Sequence, residues 1–307
     1  PNLINIMENN PFKIPNDYNW NKSTSNNYSS NKIQYNNIDY NDSKSKIDYK
    51  YHGYYNNDRQ KYVHNFIINE YCKYINNINY INNNNNNNKW LLLTAGPMGS
   101  GKTHTLNWLS NEGYFELNKF INISPDFIKK FLPEYKYYLK NDEKNVGNYL
   151  RKEVGYLCEV IIWELLDKNK CNLWFDTSLR YHEFFTIFIK QINNLYPNYK
   201  IGLINIHAND DIIFKRANKR AIKTGRHVPI NDIKQSINEV PITVDKLKNL
   251  VDCVVHINNN GDTYDINANN IIQPQLISIQ MNDRYNKNNT IFIDKPNWKQ
   301  FYNIWFN

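Results

Sequence analysis

Residues 96 to 103 read G-P-M-G-S-G-K-T, and three of the ten glycines in the chain fall within the first six of those positions. Glycines at Gly96, Gly99 and Gly101 allow a backbone tight enough to turn successive N–H groups onto phosphate oxygens. A helix opening at Lys102 points its positive end at the same anion. The Lys102 ammonium then reaches the β- and γ-phosphates, and the Thr103 hydroxyl is placed to ligate Mg²⁺. An apolar run, Trp90 to Thr94, precedes the loop. Strand, G-x-x-x-x-G-K-T and helix together make a phosphate-binding loop. The expected ligand is ATP with Mg²⁺, held by Gly96, Pro97, Met98, Gly99, Ser100, Gly101, Lys102 and Thr103.

Other residues could complete a phosphoryl-transfer site. Asp126 follows a second apolar run, Phe120 to Ile123, in the first turn of a helix opened by Ser124 and Pro125. A carboxylate there can accept the proton of an attacking hydroxyl, or merely complement the helix dipole. Asp176 ends a third apolar run, Cys171 to Phe175, where proteins with such a loop keep a carboxylate near Mg²⁺. Ser178 and Arg180 follow, as candidates to bind the acceptor, with a surface role as the alternative for Arg180. Arg216 and Arg220 lie four apart on one helical face, and Arg226 follows Gly225, which ends that helix. Arginines on a helical lid can neutralise charge on a transferred phosphoryl group, and a solvated basic face is the competing reading. The seven histidines show no metal-ligand spacing.

The elements that must position these residues alternate. After an amphipathic helix from about Asp58, strands are expected at Trp90–Thr94, Phe120–Ile123, Cys171–Phe175, Ile201–Ile206 and Val254–Ile257. Helices are expected at 102–111, 146–167, 181–195 and 210–224, with a short one after the Val-Pro of residues 240–241. Alternation of this kind predicts an α/β fold, a mostly parallel sheet covered by helices on both faces. Residues 1–57 are rich in Asn, Tyr, Ser and Lys without a sustained period, and read as a low-complexity, disordered tail. The domain is expected over 58–261. Residues 262–307 carry β-like pieces and have no evident place on the sheet.

The net charge of +8 suits an anionic partner, a nucleotide or a nucleic acid, although no nucleic-acid motif is present. Cys72, Cys158, Cys171 and Cys253 form no C-x-x-C pair, which points to free thiols in a reducing, cytoplasmic setting. No apolar run has the length of a membrane span.

Four segments resemble the zeta toxin family of kinases: GPMGSGKT, INISPDFIKKFLPEY, LWFDTSLR, and ANKRAIKTGRHVP with EVPITVDKL after it. The resemblance covers about residues 90 to 250. It implies ATP-dependent phosphorylation of a small hydroxyl acceptor, the sugar of a UDP-N-acetylhexosamine. It also implies catalytic roles for Lys102, Asp126, Arg216 and Arg226, with Arg220 as the alternative to Arg216. An inhibitory protein partner, known for the bacterial toxins, is left open. Those toxins carry Glu-Gly-Thr where this chain has Asp176-Thr177-Ser178, so the sugar pocket differs in its floor. Two rivals stand beside this reading: a polynucleotide or nucleoside kinase on the same scaffold, and an ATP-binding scaffold or switch without an acceptor.

Overall fold

A computed structural model describes residues 12–32, 39–77, 89–168, 171–224, 228–261, 273–283 and 289–306. In chain order the first elements are α1 (Thr24–Asn27), β1 (Ser29–Ser30), α2 (Asn41–Ser45), α3 (Tyr49–His52) and β2 (Tyr54–Tyr55). Next come α4 (Asn57–Arg59), a π-turn at Gln60–His64, α5 (Asn65–Asn77), β3 (Lys89–Ala95), α6 (Lys102–Asn111) and β4 (Phe120–Ile123). Then follow α7 (Pro125–Ile128), α8 (Tyr135–Asn141), α9 (Val146–Lys168), β5 (Asn172–Phe175), α10 (His182–Leu195) and β6 (Tyr199–His207). The last are α11 (Asp210–Thr224), α12 (Ile230–Leu247), β7 (Cys253–Asn258), β8 (Gln275–Asn282), β9 (Thr290–Asp294) and α13 (Trp298–Phe306). The chain divides into two compact units, 1–85 with 123–171 and 86–122 with 172–307.

The second unit is built on a seven-stranded sheet of order β4-β5-β3-β6-β7-β8-β9. β3 pairs in parallel with β5 and β6, and β6 in parallel with β7. β8 and β9 are antiparallel additions. Leu91, Leu92 and Leu93 are all fully buried, as an inner strand with covered faces requires. One face carries Trp90, Leu92, Ile204, Ile206 and Val255 against Leu106 and Leu109 of α6 and Phe301 and Trp305 of α13. Gly202 in β6 leaves the space that the Trp305 ring occupies. The C-terminal stretch, which the sequence could not place, is thus two strands and a helix of this sheet unit. α12 runs unbroken through Pro241, longer than the short helix expected. An interior Pro costs a helix about 3 kcal/mol. Burial of Ile233, Val240, Val244 and Leu247 along one stripe offsets it.

In the first unit α1, α2, α3, α5, α7 and α8 pack on the 23-residue α9. The expectation of an unpacked tail does not hold for residues 12–32 and 39–57. Tyr18, Tyr28, Ile47 and Tyr55 are buried there, together with Ser43, Lys44 and His52. They lie on loops, very short helices and the two-residue strand β2, so their burial leaves no periodic trace in the sequence. Polar groups anchor them. Ser43 Oγ donates to Glu164 at 2.6 Å and His52 Nε2 lies 2.7 Å from Glu159 Oε2. Lys44 Nζ donates to Asn65 Oδ1 at 2.5 Å, and burial lowers its pKa to about 7. Beside them Arg59 is wholly buried, donating to both oxygens of Glu134 at 3.0 and 2.8 Å and of Glu153 at 2.6 and 3.1 Å. Tyr28 donates to Glu134, and His64 Nε2 lies 2.6 Å from Glu153 Oε1. The Asn-rich run 82–88 falls outside the described residues.

Two consequences follow from this buried network. Deleting residues 1–57 strips groups from α9 and leaves Glu134, Glu159 and Glu164 short of donors, so the truncated chain should melt well below the full one by calorimetry. A truncation with an unchanged melting temperature would refute this packing. Burial lowers the His64 pKa to about 4. Burial raises that of Glu153, but the Arg59 charge and the His64 hydrogen bond outweigh it and hold the carboxyl well below its usual range. Between pH 6.5 and 4 the unfolded chain binds a proton at His64 that the folded chain does not. The stability this group contributes is complete above pH 6.5, is lost as pH falls from 6.5 to 4, by up to about 3 kcal/mol, and changes no further below 4. Urea midpoints across that window should show the loss, and His64→Gln should flatten it.

Candidate nucleotide site

The loop leaves β3 at Ala95 and enters α6 at Lys102. Gly96, Gly99 and Gly101 take φ of 151°, 99° and 87°, backbone that residues with a side chain rarely adopt. A Cβ at Gly101 would also lie 2.5 Å from Asn259 Nδ2. The carbonyls of the loop find partners elsewhere. Lys102 Nζ donates to Gly96 O at 2.9 Å and to Pro97 O at 3.4 Å. Ser100 N donates to Pro97 O at 3.1 Å and Thr105 N to Gly101 O at 2.8 Å. Ser100 O accepts from Asn259 Nδ2 at 2.8 Å and from Arg216 Nη1 at 3.3 Å.

The segment after β5 lies against the loop. Gly96 N donates to Ser178 O at 3.3 Å, and Thr177 N to Thr94 Oγ1 at 3.2 Å. The Asp176 carboxylate sits 3.5 Å from Thr103 Oγ1 and 3.3 Å from Thr94 Oγ1. An alcohol and a carboxylate at a helix N-terminus are hard oxygen donors, the kind Mg²⁺ takes alongside phosphate oxygens and water. Among the described residues no group of three or more His, Cys, Asp and Glu side chains forms a metal cage. The donor set therefore fits a metal that arrives with its nucleotide.

The remaining candidates distribute unevenly. Arg216 is buried on α11, and besides Ser100 O it donates to Gly261 O. In this arrangement it braces the loop from behind, and its charge, after burial, lowers the pKa of His104. Arg220, one turn on, is half-buried. Arg226 lies outside the described residues. Arg180 is buried and bound by α12: Nε donates to Glu239 at 3.1 Å and Nη2 to Gln235 at 2.7 Å. Met98 N donates to Ser236 Oγ of the same helix at 3.2 Å. Asp126 belongs to the first unit, in the first turn of α7, half-exposed and 2.8 Å from Lys129 Nζ. The Ser124 side chain does not cap this helix; its backbone carbonyl accepts from Phe127 and Ile128. Thr94, Ser236 and Asn259 were missed by sequence reasoning. A lone Thr ending an otherwise apolar strand was the one visible signal, since Asn259 reads as part of an ordinary turn.

A phosphate-binding loop between a parallel central strand and a helix, with a carboxylate at the end of the neighbouring strand, defines a P-loop kinase fold. A family model described as Zeta toxin matches residues 76–271, more than half of the chain. The chain belongs to the zeta toxin family, and so to the ATP-dependent kinases. No curated protein matches it. A structure of the PezAT chromosomal toxin-antitoxin system of Streptococcus pneumoniae is 15% identical, with a TM-score of 0.51 over 63% of this chain and 77% of that one. The AvrRxo1-ORF1:AvrRxo1-ORF2 complex with sulphate ions is 11% identical, with a TM-score of 0.55 over 84% and 76%. The same complex with ATP gives 0.54 at 11% identity, again over 84% and 76%. These likenesses show a shared fold. Among the described residues no helix is long and apolar enough to cross a membrane.

Lys102→Ala should weaken ATP binding by about 10- to 100-fold, the worth of hydrogen bonds to a charged partner, with little change in melting temperature without nucleotide. Calorimetric titration with ATP measures this. Wild-type affinity in the variant would remove Lys102 from the phosphate site.

Proposed function

We propose that the protein transfers the γ-phosphate of Mg-ATP to a hydroxyl group of a small acceptor. The observation that carries this reading is the grouping of Lys102, Thr103 and Asp176 at a tight glycine loop in a chain of this family. Lys102, now on the loop carbonyls, exchanges them for the β- and γ-phosphate oxygens when ATP enters. Loop amides and the α6 dipole hold the same anion. Mg²⁺ held by Thr103 and Asp176 would offset phosphate charge as the γ-phosphoryl group departs.

Asp126 takes the role of general base. Its support is its place directly after β4, where ligands of open α/β sheets gather beyond the strand ends, and its match to the family's catalytic Asp. The acceptor O–H loses its proton to the Asp126 carboxylate, its oxygen bonds to the γ-phosphorus, and ADP leaves with the bridging oxygen. Arg216 and Arg226 are carried over from the family resemblance as the arginines on the transferred phosphate, with Arg220 as the alternative to Arg216. The acceptor the resemblance favours is the sugar of a UDP-N-acetylhexosamine, bound near Asp176 and Ser178. Four buried free thiols suit the cytoplasm.

Asp126→Asn keeps the side-chain shape and leaves the loop untouched. Transfer should fall by about two to four orders of magnitude, the usual contribution of a positioned base, while ATP affinity stays within a small factor. Labelled γ-phosphate transfer to nucleotide sugars, nucleosides and 5′-hydroxyl oligonucleotides measures both the acceptor and the effect. Unchanged turnover with a slightly lower melting temperature would reduce Asp126 to a first-turn acid.

A further inference from the structure

We propose that Arg180 is a positioning residue, which holds the Asp176 carboxylate in register with the phosphate-binding loop by tying the segment after β5 to α12. The inference rests on the metal-site reading above. It begins from the burial of a charged side chain: only 3% of the Arg180 side chain is exposed. Its guanidinium meets α12 along one face, with Nε 3.1 Å from Glu239, Nη2 2.7 Å from Gln235 and Nη1 4.0 Å from Asp232. A second tie runs through the backbone, where Thr243 Oγ1 of α12 donates to Arg180 O at 3.1 Å. The residue is thus fixed at both ends by one helix.

That fixation is passed back along four residues. Leu179 is fully buried in a left-handed conformation, φ 60°, which a non-glycine residue adopts at a cost and holds only where its surroundings impose it. Thr177 Oγ1 accepts from Leu179 N at 3.1 Å and supports the turn. Ser178 O receives Gly96 N of the phosphate-binding loop, Thr177 N reaches Thr94, and Asp176 faces Thr103. α12 also reaches the loop directly, through Ser236 and Met98 N. Both loops of the nucleotide site are therefore referred to one helix, and Arg180 is the charged link on the carboxylate side.

An acceptor-binding role for Arg180 fits less well. Two of its nitrogens are already donating, and the third lies beside a second carboxylate, so an incoming anion would meet Glu239 and Asp232 as well as the guanidinium.

The test measures the affinity of a fluorescent ATP analogue in excess Mg²⁺ and in EDTA. It uses the full chain and the variants Arg180→Lys, Glu239→Gln and their combination. Glu239→Gln is isosteric at a partly exposed side chain and keeps a foldable variant in the set. Each single change should shrink the Mg²⁺-dependent gain in affinity by about 3- to 30-fold, the range of coupling seen along packed networks. Affinity in EDTA should stay within a factor of about two, and the double variant should lose little more than the worse single one. Amide exchange at Gly96 and Thr177 should quicken in Glu239→Gln. Variants that melt lower but keep the wild-type Mg²⁺ gain and wild-type exchange would overturn the proposal. So would an Arg180→Lys variant that loses only affinity for the acceptor while Glu239→Gln changes nothing. A wild-type chain with equal affinity in Mg²⁺ and EDTA would instead overturn the metal role of Asp176, and the exchange measurement would still decide the tie to α12.

Discussion

The tight glycine loop between β3 and α6 leaves backbone carbonyls that need donors, and elements far apart in the sequence of the second unit answer that demand. A backbone carbonyl left unpaired in a buried turn costs free energy comparable to a lost hydrogen bond. Ser100 O is therefore met from two directions, by Arg216 of α11 and by Asn259 after β7. Gly96 O and Pro97 O are met by Lys102, the lysine of the G-x-x-x-x-G-K-T motif. The loop is thus braced by three separate elements, and it keeps one movable donor. Arg216 is drawn into this bracing by the carbonyl of Ser100, and that of Gly261 accepts from the same guanidinium.

The first unit solves a different problem. Its short helices and loops around α9 bury single aromatic side chains, and buried polar and charged groups help set their places. A buried ion cluster such as Arg59 with two glutamates and His64 loses in desolvation much of what it gains in attraction. What it does strongly is penalise alternatives. Any packing that separates Arg59 from Glu134 and Glu153 leaves charges buried and unpaired. Tyr28 joins the cluster through Glu134 and through its ring, 4.0 Å from the guanidinium, and so ties the N-terminal segment to it.

The sheet was legible in the sequence because parallel inner strands announce themselves as short apolar runs. Five of those runs became strands within a few residues of their expected ends, and so did the two β-like pieces near the C-terminus. Lys102 to Asn111 was legible from the glycine and lysine pattern alone. The folded part of residues 12–57 was not, because Tyr18, Tyr28 and Tyr55 are buried singly and a period cannot be read from isolated contacts. α12 was only partly legible, since Pro241 reads as a stop and only the packed stripe from Ile233 to Leu247 overrides it. Arg180 looked like a loop arginine because its partners lie more than fifty residues away in sequence, on a helix whose length was itself underestimated.

The departure at Asp176-Thr177-Ser178 can now be read physically. Where the resemblance implies a glycine, Thr177 uses its hydroxyl to accept from Leu179 N and its amide to bond Thr94. The side chain thus builds part of the turn that a glycine would allow by freedom alone. The backbone is pinned on both sides of the change, by Thr94 and by Gly96, so exchange of Glu for Asp at 176 alters reach more than direction. A carboxylate one methylene shorter stays close to Thr103 and Thr94. The segment is thus held against the phosphate-binding loop by its backbone, and the exchange changes the length of one side chain on a fixed frame.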